Sequence, residues 1–214
     1  MKKRTKQHTR KQLALRRWLL VLALFSISYF LLPFTFSPTQ TIRAQESANA
    51  IARTSMVQWK KAGPRLFCLS KNEDVLLLTG HVLYPVYGWM DYGAFPLDLT
   101  KENGPVAACF VSCSIQEKNW KHLMFFGIVR QEEAAAVRVR DALSWSEEER
   151  NYLPDDQVWT GEILTDRDGQ RYFWFGQDVD FSTHLYFNSL ELLDGDGQIL
   201  YTYDLTEKYC GVAG

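Results

Sequence analysis

From Trp18 to Phe36 the chain runs WLLVLALFSISYFLLPFTF, 19 residues without a charge. At 1.5 Å per residue a helix over this stretch is roughly 28 Å long, close to the apolar thickness of a bilayer. It divides the chain into a short tail and an independent remainder. The tail, residues 1–17, holds eight Lys/Arg and no acid, whereas the rest holds 16 basic and 25 acidic side chains, a balance of −9. Basic flanks stay on the cytoplasmic side of a membrane. The pattern therefore predicts a single-pass membrane protein with residues 1–17 as a cytoplasmic basic tail and 18–36 as a transmembrane signal anchor. Residues 37–63 are then a linker, and 64–214 an extracytoplasmic domain. Trp18 suits the inner interface, Tyr29, Phe30, Phe34 and Phe36 the outer one, and Pro33 bends or ends the helix there. The span exceeds a usual signal-peptide core and no Cys follows it closely, so a retained anchor is expected. Seventeen residues cannot build a core, which sends function to the exported part.

In the linker, Ala48, Ile51, Ala52, Met56 and Trp59 fall at helical spacing over 44–61, and Gly63-Pro64 supplies a stop. Beyond Pro64 the period shortens toward 2. Strands are predicted at 66–69, 74–83, 106–115, 122–130, 135–140, 158–165, 171–175, 186–193 and 199–204. Val137 and Val139 alternate with Arg138 and Arg140, as in a strand with one wet face, while VLLLTGHVL and VAACFVSCSI are apolar on both faces and read as central. A short helix is expected in SWSEEERNYLP, where Ser144 with Glu147, or Ser146 with Glu149, fits a capping box. Many strands at turn spacing predict an all-β fold, an antiparallel Ig-like β-sandwich.

Two segments nearly repeat: LTDRDGQRYFWF at 164–175 and LLDGDGQILYTY at 192–203. As EF-hand loops they fail, because with Gly169 or Gly197 at position 6 the first and twelfth positions are Leu164 and Phe175, or Leu192 and Tyr203. As type I turns with a glycine bulge they fit, with Asp166 and Asp194 first and Gly169 and Gly197 fourth. No metal or other cofactor is expected.

The four cysteines, Cys68, Cys109, Cys113 and Cys210, all follow the apolar run, on the side where disulfides form. On one strand Cys109 and Cys113 stand roughly 13 Å apart, beyond bridging reach. Two pairings remain, Cys68–Cys109 with Cys113–Cys210 and Cys68–Cys113 with Cys109–Cys210, beside the alternative of buried free thiols. With His81, His122 and His184 such thiols supply the ingredients of an envelope hydrolase or Cys-dependent transpeptidase. No nucleophile elbow, zinc-protease motif or phosphate loop accompanies them.

The densest aromatic stretch, LYPVYGWMDYGAFPLD at 83–98, is rich in Pro and Gly and reads as a loop. Its Tyr87, Trp89, Asp91 and Tyr92 are the candidate ligand-binding residues, with rings to stack on a sugar or peptide and a carboxylate to accept hydrogen bonds. The acidic balance of the exported part argues against nucleic acid as a partner. The expected function is a non-catalytic interaction or sensory module that binds protein, peptide or glycan at the cell envelope. The run MFFGIVRQEEAAAVRVRD, followed by YFWF and SLELLDGDGQILYTYDL, resembles small membrane-anchored β-sandwich ectodomains of Gram-positive bacteria over residues 120–205. The resemblance implies strand and turn chemistry and transfers no catalytic residue.

Overall fold

A computed structural model describes residues 10–31, 36–62, 65–84, 88–115, 120–146, 148, 151–155, 157–180, 185–205 and 209–213. Two helices, α1 (Arg10–Leu31) and α2 (Pro38–Ala48), precede the strands. A front sheet is the meander β1 (Ser55–Ala62), β2 (Arg65–Lys71), β3 (Val75–Tyr84) and β4 (Gly88–Asp98). The central sheet contains β5 (Val106–Ile115) and β6 (Trp120–Val129), and the back sheet begins with β7 (Ala136–Ser146), β8 (Asn151–Asp155) and β9 (Trp159–Glu162). The central sheet gains β10 (Leu164–Thr165) and β11 (Arg171–Asp180), and the back sheet gains β12 (Leu185–Leu193) and β13 (Ile199–Asp204). The C-terminal β14 (Tyr209–Ala213) lies parallel to β5, completing the central order β10-β11-β6-β5-β14.

The all-β reading holds, but the expected two-sheet Ig-like sandwich is replaced by three sheets around two cores. The central strands carry apolar side chains on both faces. Val106, Ala108, Phe110, Leu123, Phe125 and Phe173 pack with Val137, Val139, Trp159 and Leu190 of the back sheet. Their alternates, including Ala107, Val111, Met124, Phe126 and Trp174, pack with Phe67, Leu69, Leu76, Leu78 and Phe95 of the front sheet. Such side chains stabilise by about 1.5–3 kcal/mol each when fully buried. A central sheet covered on both sides is the physical reason for the unbroken apolar run in β5. The back sheet turns its other face to water, where Glu191 is clamped between Arg138 and Arg140 at 2.5–2.7 Å.

Three expected elements differ. The helix expected over 44–61 is instead α2, ending at Ala48, followed by β1. Ala50 adopts a left-handed φ of 54°, and the N–H groups of Ala50 and Ile51 bond back to the carbonyls of Ser47 and Glu46, a Schellman stop. Beyond it Thr54-Ser55-Met56-Val57-Gln58-Trp59 suits a strand, and Trp59 pairs with Cys68. The linker is thus part of the folded domain. The helix expected near Ser144–Pro154 is a β-hairpin in which Trp145 opposes Tyr152 and Ser146 opposes Asn151; Glu147 and Glu149 of the capping boxes lie outside the described residues. Within the segment 83–98, expected to be a loop, Leu83 and Tyr84 end β3 and Gly88–Asp98 form β4, while residues 85–87 lie outside the described residues. Pro96 is tolerated because β4 is the edge of its sheet.

Among the described residues no helix is long and apolar enough to cross a membrane. In α1, Arg16 and Arg17 are followed by exposed Trp18, Leu19, Leu20, Val21, Leu22, Leu24, Phe25 and Ile27. The apolar stretch of the sequence runs on to Phe36, and residues 32–35 of it lie outside the described residues.

Candidate functional site

Of the four residues expected to bind a ligand, the structure describes three, Trp89, Asp91 and Tyr92. Tyr87 lies outside the described residues. Trp89 pairs with Leu83, and Asp91 with His81, across the β3–β4 ladder. Between Asp91 and Gly93, Tyr92 is the extra residue of a bulge, since His81 pairs with Asp91 and Gly80 with Gly93. Trp89 and Asp91 face α2, and Tyr92 faces the central sheet.

Asp91 and Tyr92 are engaged within the fold. Asp91 accepts hydrogen bonds from Gln45 of α2 and from the Gly93 N–H, the latter at 3.2 Å. Burial still pushes its carboxyl above the ordinary value. The Tyr92 ring lies under the Arg65 guanidinium, 3.5 Å from its carbon, and Arg65 also donates to the Cys113 carbonyl at 3.2 Å. Gly80 makes room for this stack, because a Cβ there would meet Phe67 at 3.1 Å and Tyr92 at 3.3 Å.

Trp89 is half-buried and borders open space beside α2. It lines a groove of about 680 Å³ on the outer face of the front sheet, together with Pro38, Met56, Trp59, Leu66 and Leu83. Lys61 and Thr39 supply polar edges, and Cys68 lies in its wall.

The histidines of the described residues are committed. His81 is fully buried beneath α2, with Nδ1 2.6 Å from the Thr41 hydroxyl and Nε2 2.8 Å from that of Thr79. Burial lowers its pKa to about 4, so it is neutral. Both ring nitrogens being taken, it has none to offer Cys68, whose thiol burial pushes up to about 11. A second polar pin holds the other end of α2. Glu46 accepts from the Thr54 N–H and hydroxyl at 2.8 and 2.5 Å, and Thr54 reaches Ser70 at 2.8 Å.

Sequence reasoning missed one alignment. Cys113, His122 and Asp178 are cross-strand neighbours on β5, β6 and β11. His122 Nδ1 is 2.6 Å from the Asp178 carboxylate and its ring stacks on Phe67. The order imitates a Cys-His-Asp triad, but Cys113 is fully buried and its thiol is pushed up to about 12. A nucleophile needs thiolate and access, and Cys113 has neither. Of the cysteines considered for bridges, Cys68 and Cys113 are free, whereas Cys109 is disulfide-bonded. Cys210 is the one cysteine that remains, and its strand β14 lies beside β5. His184 lies outside the described residues.

A second groove, of about 610 Å³, was not foreseen either. Its walls include Lys71 and Glu73 around the β2–β3 turn, Arg130 and Glu132 after β6, and Asp168 and Arg171 around the first Asp-rich turn. Arg171 donates to the carbonyls of Gln131, Glu132 and Ala134, and Arg130 to those of Gly104 and Leu99. Lys71 pairs with Asp166 and, at 3.4 Å, with Asp168. Burial would raise the Asp166 carboxyl, but Lys71 and the N–H groups of Gln170 and Asp168 outweigh it and hold it below its ordinary value. These residues are scattered between 71 and 171, so only the pairing of front and central sheets assembles them.

The two Asp-rich stretches are the turns expected. In each, the glycine N–H returns to the first Asp carbonyl at 3.2 Å, and that Asp accepts two further N–H groups at 2.8–2.9 Å. Gly169 and Gly197 have φ of 82° and 79°, which favours glycine. Among the described residues no group of His, Cys, Asp and Glu is arranged to hold a metal. Comparison with protein-family profiles, curated proteins and solved structures finds no match.

Proposed function

We propose that this protein is a membrane-anchored, non-catalytic module that binds protein, peptide or glycan at the cell envelope. The observation that carries this reading is the distribution of its chemistry. The described free thiols and His81 are locked in the interior and His122 is tied to Asp178 and stacked on Phe67, whereas mixed charges surround an open groove at the Lys71 end of β2. That end is opposite Arg65, which lines the apolar groove with Pro38 of α2. A polar groove suits peptide or glycan, whose amides and hydroxyls need partners. The anchor is supported by the charge-free run to Phe36, the basic tail and the uncovered apolar side chains of α1. The bridged Cys109 supports an oxidising, extracytoplasmic location. The resemblance to small anchored ectodomains agrees with it.

The test is co-sedimentation of the full chain, in detergent, with purified peptidoglycan, a polymer of both peptide and glycan. Glu73→Lys with Glu132→Lys reverses two exposed charges at the groove. The expected outcome is binding weakened roughly tenfold, or ~1.4 kcal/mol, with an unchanged melting temperature. Equal sedimentation of the folded variant removes the polar groove from the account.

A further inference from the structure

We propose that the apolar groove around Trp59 and Trp89 is a lipid-facing surface that seats the domain on the outer leaflet beside its own anchor. This inference rests on the anchor proposed above and names a second partner, the bilayer itself. The charge-free run ends at Phe36, and Pro38, two residues later, already lines the groove. Two residues span at most about 7 Å, so inserting the run brings the groove mouth to the headgroups. Exposure fits that position: Phe36 is 64% exposed, Trp59 63%, Leu83 55% and Met56 45%. Left in water this patch is a liability. At a headgroup boundary the indoles of Trp59 and Trp89 find the half-apolar, half-polar setting that tryptophan favours, and Lys61 extends its amine toward phosphate. The polar pins from α2 to the front sheet, Thr41–His81 and Glu46–Thr54–Ser70, fix the chain's entry relative to this face. The polar groove, at the other end of β2, is then directed away from the lipid.

The test uses the full chain reconstituted into phosphatidylcholine vesicles with acyl chains brominated near the carboxyl end, which quench indoles at the interface. Trp18 reports the anchor, while Trp59 and Trp89 report the groove. In Trp59→Phe/Trp89→Phe the expected result is a fall in quenching of about threefold, because one of three lipid-exposed rings remains. Trp59→Phe alone, at an exposed position, gives a partial fall and guards against misfolding of the double variant. If the wild type shows Trp18 quenching and the double variant loses none, the anchor stands and the lipid-facing surface is overturned. If Trp18 is not quenched either, the anchor falls and the inference with it. Concentration-dependent self-crosslinking through the groove, without lipid quenching, assigns the face to a second copy and equally overturns the proposal.

Discussion

At the scale of single residues, His81 shows how burial converts a reactive side chain into a structural one. Two neutral hydroxyls satisfy its ring, and burial disfavours its charged form. Its folded pKa of about 4 lies below the ordinary 6.5. Between those values the unfolded chain takes up a proton that the folded chain refuses. The contribution is therefore complete above about pH 6.5 and is lost as pH falls toward 4, by up to about 3 kcal/mol. Urea unfolding at pH 7 and pH 4.5 should show this loss in the wild type and a smaller one in His81→Gln; the same loss in both would refute it. Gly127 makes the complementary point. A Cβ there would sit 2.2 Å from the Ala107 carbonyl oxygen and 2.9 Å from the Phe173 ring. The Phe-Gly-x-Val pattern of MFFGIVR is thus a packing requirement of the central sheet.

At the scale of elements, what was legible in the sequence is what local chemistry determines. Asp and Gly at fixed offsets announced both hairpin turns, and two-faced apolar runs announced β3 and β5. Misread elements were those for which tertiary pairing overrides a local signal. Ala48, Ile51, Ala52, Met56 and Trp59 fit a helical period, yet β2 offers β1 a ladder, and the turn at Ala50 separates strand from helix. In 83–98, proline and glycine signalled a loop, but an edge strand tolerates Pro96 and a bulge uses the neighbourhood of Gly93. Of the candidate residues described, Trp89 lines the apolar groove, while Asp91 and Tyr92 are engaged within the fold. The polar groove was invisible because its walls come from segments scattered between Ser55 and Arg171. Alanine in the left-handed region costs about 1–2 kcal/mol, part of which glycine's unfolded-state entropy offsets. Ala50→Gly should therefore stabilise the domain by about 0.5–1 kcal/mol, read as a higher urea midpoint at constant slope. An unchanged or lower midpoint would contradict the Schellman geometry of α2.

At the scale of the whole molecule, three sheets pack around two cores, and the two grooves lie at different ends of β2. One groove is apolar and adjoins the entry of the chain through α2, and the other is polar. The asymmetry agrees with the proposed anchored module, with one end for its support and one for its ligand. The layered core also explains why Cys68, Cys113 and His81, which taken alone suggest an enzyme, are buried, since they occupy the faces where sheets and helix meet. The most direct measurement of the central claim is topological. A full chain carrying a C-terminal epitope is expressed in Gram-positive cells, and antibody binding to intact protoplasts is compared with binding after permeabilisation. Equal labelling in both is expected, with the chain retained in the membrane fraction after carbonate extraction. Labelling that appears only after permeabilisation would put the domain on the wrong side of the membrane and contradict the account.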